Sequence, residues 1–248
     1  MDLGLDGRRA AVAAASGGLG FETARVLAAE GARVVICGRD QGRLDDAVAR
    51  IGHGCVGLVH DVSDAAGGAS FVAAARDVLG GLDIVVANAG GPPAGTFEST
   101  PVDAYDAALD LSLMSVVGMA KEAIPGMREQ RWGRFVAITS VSVRQPIPTL
   151  ILSNTARAGV TGFLKTVARE VAADGVTVNS VQPGMHATDR LSGLYGGDLS
   201  GLAATIPAGR VGAADDFGSV VAFLCSAQAN YVTGLQLHVD GGSYAGLL

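Results

Sequence analysis

The sequence predicts an α/β fold, a single domain built as a doubly wound, seven-stranded parallel sheet with helices on both faces. Three observations predict it. Short, continuously apolar runs recur along the chain, and longer segments with apolar residues spaced by three and four lie between them. Glycine supplies 36 of the 248 residues and gathers where runs turn into those segments. A strand buried on both faces reads as an unbroken apolar run, and strands separated by helices pair in parallel. Glycine suits the tight corners such a fold needs.

The elements follow in order. AAVAAA at 10–15 is the first strand, with a helical pattern over 18–30; RVVIC at 33–37 is the second, with a helix over 41–51. CVGLVH at 55–60 leads to a helix over 64–79, and DIVVAN at 83–88 to a long one over 102–129. RFVAIT at 134–139 precedes a helix over 152–174, VTVNSV at 176–181 precedes one over 213–227, and LQLHV at 235–239 closes the sheet. No Pro/Ser-rich linker or charge block divides residues 1–248. The architecture is of Rossmann type. HATDRLSGLYGGDLSGLAATI, at 186–206, has mixed periodicity and several glycines, which marks it as a substrate lid.

Composition excludes other classes. A net charge of −6, with Lys and Arg scattered, argues against a nucleic-acid surface. The start, MDLGLDGRR, lacks the basic-then-apolar order of a signal peptide, and no apolar run reaches the roughly 20 residues that span a bilayer. Cys37, Cys55 and Cys225 are odd in number and lack metal-like spacing, so reduced thiols, no metal site and a cytoplasmic location are expected.

After the first strand, AAASGGLG at 13–20 opens a helix, bringing Ser16, Gly18, Leu19 and Gly20 to a turn where backbone N–H groups and the helix dipole approach a pyrophosphate. The second strand ends in CGRD, beside the place of an adenosine ribose. Arg39 suits a ribose 2′-phosphate, which favours NADP, while Asp40 keeps NAD open.

These motifs resemble those of the short-chain dehydrogenase/reductase superfamily over almost the full chain. AAASGGLG is similar to its T-G-x-x-x-G-x-G loop, with Ala13 and Ala14 in place of Thr-Gly. HDVSD matches the D-V segment that borders adenine through Asp61 and Val62, and ANAG matches N-N-A-G through Asn88, Ala89 and Gly90. VNSVQPGMHAT matches the segment at the nicotinamide end through Pro183, Gly184 and Thr188, and GLQLHVDGG matches the last strand and turn. The resemblance implies carbonyl reduction by Asn, Ser, Tyr and Lys, the last two as Y-x-x-x-K on one helical face. Aligning ARAGV with S-K-A-G-V places Arg157 at the lysine and Ser153 at the tyrosine. Ser140, thirteen residues earlier, falls at the serine, and Ser112 of LSL at the asparagine. SNTARAG is similar to a divergent subgroup resembling 3-oxoacyl-[acyl-carrier-protein] reductases.

The two lysines, Lys121 and Lys165, lie elsewhere, the second about 12 Å along the helix from Arg157. Ser140 and Ser153 can hold a substrate oxygen, and Arg157 supplies fixed positive charge. His186, Tyr195 or water is left as proton donor, and Arg144 as a second pocket cation. Two readings stand: an NADP-linked oxidoreductase acting on a small ketone or alcohol, or a redox-silent member serving as a binding subunit, isomerase or cyclase. The resemblance also implies a homodimer or homotetramer.

Overall fold

The computed structural model describes residues 2–197, 199 and 201–247. Seven strands form one parallel sheet in the order β3-β2-β1-β4-β5-β6-β7. They are β1 (Arg9–Val12), β2 (Arg33–Gly38), β3 (Val56–Val59), β4 (Ile84–Ala87), β5 (Gly133–Ile138), β6 (Val176–Pro183) and β7 (Gln236–Val239). The helices are α1 (Gly18–Ala29), α2 (Gln41–Ile51), α3 (Ala65–Leu79), α4 (Ala104–Leu109), α5 (Ser115–Glu129), α6 (Ile151–Val171), α7 (Asp189–Leu194) and α8 (Ala214–Cys225). The expected fold class is what the chain adopts. β1 pairs with both β2 and β4, so the strand order reverses there and a crevice opens at the carboxyl ends of those two strands.

Each face of the sheet has its own core. Phe71 of α3, Met119 and Met127 of α5 and Val160 of α6 are fully buried on one side; Leu27 of α1, Leu44 of α2 and Phe217 of α8 are buried on the other. Burying each such side chain contributes about 1.5–3 kcal/mol, so both helical layers are held to the sheet. Tight packing of α3 on α5 depends on Gly68 and Gly118, where any Cβ would strike the backbone of Ser115 or Ala65. At the amino ends of β1 and β4, Arg9 grips both carboxylate oxygens of Asp83 at 2.8 Å and fixes their register.

Three expectations are corrected in detail. The first strand stops at Val12, because the chain turns at Ala14 with φ +47°. The long helix expected over 102–129 is α4 and α5 joined by a π-helical turn, Asp110–Met114, where Ser115 Oγ donates to the Leu111 carbonyl at 2.6 Å. The stretch 186–206 expected as a lid, of which 198 and 200 lie outside the described residues, contains short helical pieces: Thr188 caps α7 by accepting from the Leu191 N–H, and a 3-10 turn spans Ala203–Thr205. Among the described residues no helix is long and apolar enough to cross a membrane.

Candidate active site

The site is assembled at the carboxyl ends of β1, β4, β5 and β6. The loop after β1 is shaped by two residues with positive φ, Ala14 at +47° and Gly18 at +60°. Glycine takes this conformation freely, whereas a Cβ costs about 1–2 kcal/mol. Neighbours hold Ala14 in place. Its N–H donates to Cys37 Sγ at 3.3 Å, and its carbonyl accepts from Asn88 Nδ2 at 3.1 Å, while the same amide reaches the Ala13 carbonyl at 3.2 Å. Burial pushes the Cys37 thiol up to about 12, so it stays protonated and serves as an acceptor. Asn88 thus ties the loop after β4 to the loop after β1.

Ser16, Gly17, Gly18, Arg43, Thr188 and Ala214 border a cavity of about 310 Å³ at the start of α1. Thr188 packs across from Gly18, where a Cβ would lie 3.7 Å from the threonine methyl, so the segment after β6 faces the glycine loop directly. Leu19 is half-buried against the core, and Gly20 is packed so closely on Asn88 and Ala14 that no side chain fits. Pro183 ends β6, and Gly184 donates to the Val239 carbonyl at 3.0 Å. Ala89 is half-buried and Gly90 exposed, with open space where its Cβ would stand.

At the end of β2, Arg39 is exposed and makes no ion pair among the described residues. Asp40, by contrast, caps α2, its carboxylate accepting from the Arg43 N–H at 2.8 Å. Asp61 accepts from the Ser63 N–H at 3.1 Å, and Val62 is buried in the core beside it.

The other half of the site lies around the end of β5. Ser140 begins a 3-10 turn, Val141–Val143, and its Oγ accepts from the Ser142 N–H at 3.1 Å. That turn packs on α6, whose buried face carries Ser153 and, one turn later, Arg157. Arg157 Nη1 donates to the Ile138 carbonyl at 2.9 Å, and Nη2 lies 3.5 Å from the Gly90 carbonyl. Burial, and then the charge of Arg190, lower its pKa to about 10, still far above neutrality, so the guanidinium remains charged. The π-helical turn also packs on α6, and Ser112 within it is buried with its Oγ unpartnered. Residues up to 67 apart in sequence, from Ser112 and Ser140 through Gly90 to Arg157, therefore meet α6 or its arginine.

The remaining candidates are placed elsewhere. His186 is buried, its ring edge-on to Phe217 of α8 with centroids 5.3 Å apart and its Nδ1 3.4 Å from the Gly184 carbonyl. Burial lowers its pKa, and the ring acts as packing between the segment after β6 and α8. Tyr195 is exposed; Arg144 donates to Gln236 Oε1 at 3.2 Å, and Lys165 to the Gly234 carbonyl at 2.9 Å. Two polar residues enter that the sequence reading missed. Gln182 is fully buried in β6 with both amide atoms unpartnered; it stands in VTVNSVQP, where Thr177, Asn179 and Ser180 are polar too and nothing singles it out. Arg190 of α7 donates to the Gly91 and Pro92 carbonyls, nearly 100 residues away, a contact no local pattern announces.

A family model described as enoyl-(acyl carrier protein) reductase matches residues 13–244. The chain belongs to the short-chain dehydrogenase/reductase family. Among relatives of this family, the 3-oxoacyl-[acyl-carrier-protein] reductase FabG of Salmonella typhimurium is 35% identical over 98% of this chain and 99% of its own. Dehydrogenase/reductase SDR family member 4 of Bos taurus is 33% identical, covering 98% and 89%. Among solved structures, YwfH, described as an NADPH dependent reductase involved in bacilysin biosynthesis, superposes with a TM-score of 0.92 at 26% identity, covering 98% and 100%. A structure described as a short chain dehydrogenase/reductase family protein gives 0.89 at 35% identity over 99% and 100%. The shared family accounts for the order of the glycine loop, ANAG and PGMHAT segments around the crevice.

Proposed function

We propose that the chain is an NADP-linked oxidoreductase that reduces a small ketone, or oxidises the matching alcohol, through Ser140, Ser153 and Arg157, with Ser112 behind them, rather than through the tyrosine and lysine of the family pattern. The observation that carries this reading is Arg157, a buried guanidinium held at the ends of β4 and β5 on the helical face it shares with Ser153. The donor set fits a dinucleotide: the cavity beside Gly18 and the open space at Gly90 leave room along the crevice. Ser16, Gly18, Leu19 and Gly20 would hold the pyrophosphate, Asp61 and Val62 the adenine, and Asn88, Ala89, Gly90, Pro183, Gly184 and Thr188 the nicotinamide half. With Asp40 engaged as a helix cap, Arg39 is the group left to meet a 2′-phosphate, which favours NADP over NAD.

The bound nicotinamide supplies or accepts the hydride. Ser140 and Ser153 hydrogen-bond the substrate oxygen and orient the carbonyl. As negative charge grows on that oxygen, the fixed charge of Arg157 stabilises it. Arg157 keeps its own proton. The Ser153 hydroxyl passes a proton to the oxygen and recovers one from solvent.

Calorimetry with NADPH and NADH, followed by a panel of ketones assayed at 340 nm, tests this function. The expected result is about tenfold or greater preference for NADPH, abolished in Arg39→Ala, and turnover lowered roughly 100-fold in Ser140→Ala. Equal affinities for both nucleotides would refute the NADP assignment; tight binding with no oxidation by any ketone would refute the oxidoreductase.

A further inference from the structure

Two arginines lie along one short loop without a counter-ion. Arg157 is nine-tenths buried, and its recorded acceptors are the carbonyls of Ile138 and Gly90. Arg190 of α7, an exposed residue, donates to the next two carbonyls, those of Gly91 at 3.2 Å and Pro92 at 3.3 Å. Among the described residues neither has a carboxylate within ion-pair distance, although eight other arginines do. Neutral carbonyls do not cancel a charge. Taking one guanidinium out of water without a partner is costly, and a second placed close enough to repel it adds to the cost. Such a pair is stabilised when an anion arrives between them, and guanidinium forks match the two oxygens of a carboxylate.

The position selects the anion. The cofactor pyrophosphate belongs with the backbone N–H groups that open α1. Arg157 instead stands one helical turn from Ser153 and at the strand end that leads into Ser140. We infer that Arg157 and Arg190 form the receptor for a carboxylate on the substrate, so that the compound turned over is a free oxo acid or hydroxy acid rather than a neutral ketone. This rests on the oxidoreductase reading and narrows it. The carboxylate fixes the substrate by its charged end and presents the neighbouring carbonyl to the two serines. Arg190 is carried by α7, so anion binding also ties α7 to the loop after β4.

Calorimetry of glyoxylate, pyruvate and benzoylformate, each against its methyl ester, tests the receptor with and without saturating NADPH. At least one acid is expected to bind about tenfold or more tightly than its ester, and Arg190→Ala to remove most of that preference while leaving NADPH affinity within about twofold. Arg33→Ala, which removes an equal charge at the amino end of β2, is expected to keep the preference. If every acid binds no better than its ester while NADPH binds, the receptor is overturned and the oxidoreductase reading stands. If Arg190→Ala weakens NADPH and leaves the acids unaffected, the arginine serves the pyrophosphate and the inference is likewise overturned. If NADPH fails to bind, the oxidoreductase reading falls, and the acid and ester titrations of the free protein still decide the receptor.

Discussion

Ala14 carries a backbone conformation that the family pattern gives to glycine. Its φ of +47° is held by the Cys37 sulfur and the Asn88 amide, two partners supplied by neighbouring strands. The loop therefore keeps its shape at a local cost. Ala14→Gly removes about 1–2 kcal/mol of strain and adds about 0.5–1 kcal/mol of unfolded-state entropy, so a net gain of about 0.5 kcal/mol is expected in urea unfolding. A loss of stability would show that the alanine methyl packs favourably enough to outweigh the strain. Arg39 and Asp40 illustrate the same scale: of two adjacent charged residues, Asp40 is engaged as the cap of α2, and Arg39 is exposed without an ion pair among the described residues. In the sequence Arg39 favours NADP while Asp40 keeps NAD open, and the capping role of Asp40 is not visible there.

At the scale of elements, the proposed chemistry rests on α6. Its buried face sets Ser153 and Arg157 one turn apart under the turn that begins at Ser140, and the π-helical turn brings Ser112 against it. Restoring the family pair by Ser153→Tyr with Arg157→Lys is expected to gain no ketone reductase activity and to lose the native one. Lysine cannot reach the Ile138 and Gly90 carbonyls with a planar fork, and Ser112 stays changed. Brisk reduction of simple ketones by the double variant, with native activity retained, would contradict the account. These placements were partly legible. The spacing of Ser140, Ser153 and Arg157 could be read because one strand and one helix contain them. The π-helical turn could not, since apolar spacing runs through Asp110–Met114 without a break and a single extra residue per turn leaves no trace in it.

At the scale of the whole molecule, the seven strands and the fold class follow from apolar runs alternating with helical segments, a pattern that physics ties to a parallel sheet covered on both faces, while the order of the strands in the sheet is a matter of tertiary pairing. What stayed illegible depends on distant partners: Arg190 meets carbonyls after β4, and Gln182 is buried where no local signal marks its surroundings. The outer surface adds a further expectation. β7 is an edge strand with one side unpaired, and Met114, Phe223 and Leu235 are exposed. Edges and apolar surface of this kind are covered in stable assemblies, so light scattering at micromolar concentration is expected to give a dimer or, in preference, a tetramer; a monomer mass would refute this. The central claim, that this chain moves a hydride through a serine and arginine centre, is tested most directly by NADPH deuterated at C4. Incubated with the oxo acids and ketones, the protein is predicted to place deuterium on the carbinol carbon of a product seen by mass spectrometry, and Ser140→Ala to slow that transfer roughly 100-fold. Bound NADPH with no deuterium in any product, or transfer by Ser140→Ala at the unaltered rate, would contradict it.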